Sequence, residues 1–67
     1  MIQVVVNGEA RSLERPLPLS GLIEQMALTG KKIAVERNGE IVPRGLHPKT
    51  LLENGDRLEI VVAVGGG

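Results

Sequence analysis

The residues with most to say about chemistry stand at the end of the 67-residue sequence, where Gly65-Gly66-Gly67 follow directly on an alternating apolar run over residues 58–64. A tail without β-carbons takes φ and ψ values closed to other residues, so it threads, extended, through a narrow channel where bulkier side chains clash. The group it would deliver is the α-carboxylate of Gly67. A free carboxylate is a poor acyl donor, and activation as a mixed anhydride with AMP, made from ATP by a partner enzyme, opens it to a nucleophile. A sulfur nucleophile then leaves a thiocarboxylate, whereas a lysine amine leaves a protein conjugate. Either way the chain is substrate and carrier, not catalyst. The competing reading is a frayed end without function.

The other side chains offer no catalytic set. His47 is the one histidine and stands beside Pro48 in an irregular stretch, so it is expected to be solvated. Ser12, Ser20, Thr29 and Thr50 lack the motif of a nucleophile elbow. Glu53 and Asp56 flank Asn54-Gly55 and read as turn formers facing water. Lys31, Lys32 and Arg37 read as a solvated face. Without cysteine there is no thiolate nucleophile, disulfide or cysteine-held cluster, and neither a metal nor a bound cofactor is expected. Eight Lys and Arg balance eight Asp and Glu, and no aromatic residue exists to stack on bases, so nucleic acid is not an expected partner. The longest apolar run, residues 60–64, is far short of the roughly 20 residues that span a bilayer. With no secretion signal visible, the expectation is a cytoplasmic chain without a membrane partner.

The elements that must position the tail follow from pattern. Residues 2–6 are β-branched apart from Gln3 and run into Asn7-Gly8, the strongest short hairpin signal. A brief second strand is expected over residues 10–14, before Pro16 and Pro18. Leu19, Leu22, Ile23 and Met26 fall at i, i+3, i+4 and i+7, which predicts a helix with one apolar face, Pro18 in its first turn and Gly30 as its cap. Ile33 and Val35, then Asn38-Gly39, then Ile41-Val42, predict a second hairpin ended by Pro43. Residues 44–54 read as an irregular crossing with a short helical turn pinned by one leucine. The last strand places Leu58, Ile60 and Val62 on one face against Glu59, Val61 and Ala63 on the other. The sum is an α+β fold: a mixed five-stranded sheet with one main helix packed across one face. Residues 1–64 form the domain, and residues 65–67 a flexible tail. Val61 and Ala63, with Val5 beside them, are the candidate partner-docking face, because an enzyme that grips the tail must also grip nearby surface.

Four stretches carry a family resemblance: Asn7-Gly8-Glu9, the run Ile33-Ala34-Val35-Glu36-Arg37-Asn38-Gly39-Glu40-Ile41-Val42-Pro43-Arg44, the turn Asn54-Gly55-Asp56, and the ending Val64-Gly65-Gly66-Gly67. Together they resemble the ubiquitin-like sulfur carrier proteins of bacterial thiamin biosynthesis, which supply sulfur for the thiazole ring. The resemblance implies a β-grasp fold. It also implies a Gly67 carboxylate that an E1-like enzyme adenylates with ATP and magnesium, a sulfur-donor protein that converts it to a thiocarboxylate, and delivery to thiazole synthase. Gly66 and Gly67 match the family's terminal pair, and Gly65 is a variation. A Gly-Gly ending also belongs to the small subunit of molybdopterin synthase and to ubiquitin-like conjugation or interaction modules, which stand as alternatives. The prolines at 16 and 18 depart from the family's pattern ahead of the helix.

Overall fold

The computed structural model describes residues 1–63. The expected tail, Gly65, Gly66 and Gly67, and with it the boundary between domain and tail, lies outside the described residues. Strand β1, Ile2–Val6, buries Val4 and Val6 and turns Gln3 and Val5 to the other face. At Asn7 and Gly8 φ is +50° and +84°. Two successive positive values make a type I′ turn, whose twist suits a hairpin. Strand β2, Glu9–Leu13, therefore runs back antiparallel with Glu9 opposite Val6 and Leu13 opposite Ile2.

Helix α1, Leu19–Gln25, is too short to stand alone in water. What holds it is the predicted stripe: Leu19, Leu22 and Ile23 are buried and Met26 packs against them. Each fully buried side chain contributes about 1.5–3 kcal/mol, more than the whole propensity of so short a helix.

Both ends differ from expectation. Pro18 is the residue before the helix, extended at φ −66° and ψ 155°, not part of its first turn. It is held there because the chain still pairs with the crossing segment: the Leu19 N–H donates to the Thr50 carbonyl at 2.7 Å and the Leu52 N–H to the Leu17 carbonyl at 2.8 Å. At the other end the cap is not Gly30. Ala27 adopts φ +59°, and the Leu28 N–H reaches the Ile23 carbonyl while the Ala27 N–H reaches that of Glu24, both at 3.0 Å. This is a Schellman closure with alanine in the seat glycine prefers. It folds Leu28 back onto the core, and Gly30 serves the turn that follows.

Strand β3, Ile33–Arg37, joins the two-residue β4, Glu40–Ile41, through a second type I′ turn at Asn38 and Gly39, with φ +51° and +87°. A 3₁₀ helix, Arg44–Lys49, carries the crossing, and Leu52 pins it, fully buried while Leu51 is exposed. Strand β5, Arg57–Val62, then inserts between the hairpins, parallel to β1 and antiparallel to β3. The sheet order is β2-β1-β5-β3-β4. This is the β-grasp arrangement, with the expected five-stranded mixed sheet and a helix on one face, around an aliphatic core that includes Val4, Leu22, Val35, Leu52 and Leu58.

Candidate functional site

Strand β5 leads toward the C-terminal glycines, so its two ends define the site. At its start, Asp56 is buried, and its carboxylate accepts from the Arg37 Nε at 2.9 Å, the Asn38 Nδ2 at 3.0 Å and the Glu53 backbone N–H at 2.8 Å. Arg37 also donates to Glu53 at 3.1 Å and to the Leu51 carbonyl at 3.3 Å. Burial pushes the Asp56 carboxyl up, but the Glu53 N–H, the Asn38 amide and the Arg37 guanidinium together hold it below the ordinary value of 3.8. Neither Asp56 nor Arg37 is the solvated residue the sequence suggests. The turn faces inward because β5 must enter the middle of the sheet there, and that brings Asp56 under the end of β3. Glu53 remains exposed, as expected, so its ion pair with Arg37 adds little. His47 is a further correction. It is 7% exposed, with Nε2 at 3.1 Å from the Val42 carbonyl, because the 3₁₀ helix turns it inward against the chain leaving β4.

At the far end of β5 the side chains change character. Val61 is 64% exposed opposite Ala34, and Val62, opposite Ile33, is 37% exposed. Ala63 is exposed as well, while its N–H donates to the Lys32 carbonyl at 2.8 Å. Lys32 and Arg44 border this small apolar surface. Val5 is not part of it. The parallel register sets Val5 against Arg57, roughly 13 Å along the strand from Val61 at ~3.3 Å per residue. Val61 and Ala63 thus share a face next to the exit of the chain, and Val5 lies near the opposite end.

Between the two ends, the Asn7 side chain bonds the Ile60 backbone twice. Its Oδ1 accepts from the Ile60 N–H at 2.8 Å and its Nδ2 donates to the Ile60 carbonyl at 3.0 Å. Sequence reasoning missed this contact, because Asn-Gly is already explained by the turn. Among the described residues no three His, Asp or Glu side chains stand close enough to hold a metal ion, and no helix is long and apolar enough to cross a membrane.

Comparison with known proteins now bears on these features. The sequence model of the ThiS family matches residues 4–67. A thiazole synthase of Paramagnetospirillum magneticum is 38% identical over 66 residues, covering 98% of this chain and 20% of that protein. A second thiazole synthase, of Magnetococcus marinus, is 35% identical with the same coverage. The chain thus spans a fifth of the length of these relatives. The uncharacterized protein ycf40 of Pyropia yezoensis is 33% identical over 66 residues, covering 98% of this chain and 93% of that one. Among solved structures, the crystal structure of a thiamine biosynthesis protein (ThiS) from Geobacter metallireducens superposes with a TM-score of 0.83 at 26% identity, over 98% of this chain and 100% of the other.

Proposed function

The chain belongs to the ThiS family, and from that premise we propose that it is a sulfur carrier in thiamin biosynthesis, bearing sulfur on the α-carboxylate of Gly67. It is not itself a catalyst. In the first step a carboxylate oxygen attacks the α-phosphorus of ATP in an E1-like partner that uses magnesium, and pyrophosphate leaves. A hydrosulfide equivalent from a sulfur-donor protein then attacks the acyl carbon of the adenylate. AMP departs with the bridging oxygen and a proton goes to solvent, leaving a thiocarboxylate. Thiazole synthase is the acceptor.

The observation that carries this reading is that two relatives named thiazole synthase match 98% of this chain within one fifth of their own length. Carrier-like and synthase segments in one polypeptide meet at a high effective concentration, which supports the same pair as partners here and favours thiazole over molybdopterin. The exposed Val61 and Ala63 beside the chain's exit suit a surface gripped together with the tail.

The test is the intact mass of the protein after incubation with the activating enzyme, ATP, magnesium and a sulfur source, with ATP omitted as control. Oxidation of Met1 or Met26 gives nearly the same mass change as sulfur for oxygen, so the product is localised by fragmentation or trapped by alkylation. An ATP-dependent change confined to Gly67, followed by sulfur transfer to thiazole synthase, is expected. An unchanged mass with an enzyme active on another carrier overturns the reading, and so does an isopeptide adduct on a lysine of another protein.

A further inference from the structure

We infer that Asn7 is a positioning residue for the reactive tail: its side-chain amide ends the β1–β5 ladder and fixes the course of β5 ahead of the C-terminal glycines. This rests on the carrier reading above. The ladder begins with the Val5 N–H on the Asp56 carbonyl and the Asn7 N–H on the Leu58 carbonyl, both at 2.9 Å. The next rung would need a backbone partner for Ile60, but at that point β1 turns away into its hairpin, with Asn7 and Gly8 at positive φ. The Asn7 side chain takes the place of the missing strand residue. A primary amide offers the same donor and acceptor as a peptide group, and here both are used, at 2.8 and 3.0 Å.

Past Ile60, the next β5 residue facing that side is Val62, for which no backbone partner exists on that edge among the described residues. The opposite edge continues to Ala63 through its bond to Lys32. Strand β5 is therefore gripped on both edges up to Ile60 and on one edge beyond it. Gly67 lies seven positions beyond Ile60, a reach of at most roughly 23 Å, so the point where β5 is held sets the volume open to the carboxylate. Fixing the root before docking lowers the ordering cost of binding. Asparagine suits both demands, a left-handed backbone and a side-chain amide. Glycine meets only the first.

The test compares the wild-type chain with Asn7→Gly, which keeps the turn and removes both bonds, using the activating enzyme's steady-state kinetics with the carrier as the varied substrate. Leu22→Ala, destabilised in the helix with the clamp intact, is the control, and all three are assayed where thermal unfolding finds them folded. The expected result is a KM raised about tenfold in Asn7→Gly with kcat near wild type, since the lost order is made up on binding. Exchange of the Ile60 amide should quicken about tenfold or more in the same variant. A wild-type KM in Asn7→Gly overturns the positioning role alone, and so does an equal rise in Leu22→Ala. A wild-type chain that is never adenylated overturns the carrier reading and this role with it, whatever the amide exchange shows.

Discussion

The two ends of strand β5 are built in opposite ways. At the start, Asp56 is buried under three hydrogen bonds, one of them from the Arg37 guanidinium, and Leu58 is packed into the core. At the far end, Val61 and Ala63 face solvent, and the last described contact is one backbone bond to Lys32. One strand thus serves as a core element where it enters the sheet and as an exposed lead where it leaves. The difference teaches that the domain's stability is concentrated away from the end that the proposed chemistry uses, so the two can be perturbed separately.

The largest expected effect is at the packed end. Leu58→Ala should cost about 2–5 kcal/mol in chemical unfolding, since it opens a cavity in a fully buried site. A loss no larger than that of a surface change would erase the contrast.

Asp56→Asn should follow, at about 2–3 kcal/mol, because Arg37 loses its buried partner and keeps only the exposed Glu53, and the Glu53 N–H faces an amide. Because the folded Asp56 carboxyl lies below its ordinary value of 3.8, its contribution is complete above that value and disappears as pH falls through the lower, folded one. Denaturant midpoints should therefore separate the two proteins most at neutral pH and draw closer as pH falls through the folded carboxyl's lowered value. A gap that stays constant with pH would assign the loss to packing.

A change remote from both ends sharpens the comparison. Ala27→Gly relieves a left-handed alanine at the helix cap, and after the added entropy of the unfolded chain it should gain about 0.5–1 kcal/mol. The rise should appear in the thermal midpoint and leave the activating enzyme's KM unaltered. Smallest of all is Val61→Ala, expected within about 0.5 kcal/mol in the same unfolding measurement, yet slower in activation if the exposed face is gripped by the partner.

What the sequence told of this fold is what local chemistry controls. Both Asn-Gly hairpin turns and the Leu19, Leu22, Ile23 stripe appear as expected, because turn geometry and helical spacing are decided within a few residues. The inward Asp56 was not legible, since its partner Arg37 lies 19 residues away and meets it only once β5 enters the sheet. The place of Val5 depends on the parallel register of β1 and β5, which no local signal reports. Ala27 as the helix cap runs against residue preference, and tertiary packing of Leu28 outweighs it. The clamp by Asn7 was hidden behind a simpler role of the same residue. For the candidate site, the exposed Val61 and Ala63 are read from alternation along one strand, and the glycines from their place after that strand and their lack of a β-carbon.

The central claim is that the β-grasp domain is a scaffold and that the chemistry resides in the terminal glycines. Its most direct test is ATP-dependent sulfur incorporation in a chain ending at Gly65, measured beside the full chain with the thermal midpoint of each. The account predicts matching midpoints and no incorporation in the shortened chain. Incorporation at the wild-type rate, or a collapse of the fold on removing Gly66 and Gly67, would contradict it.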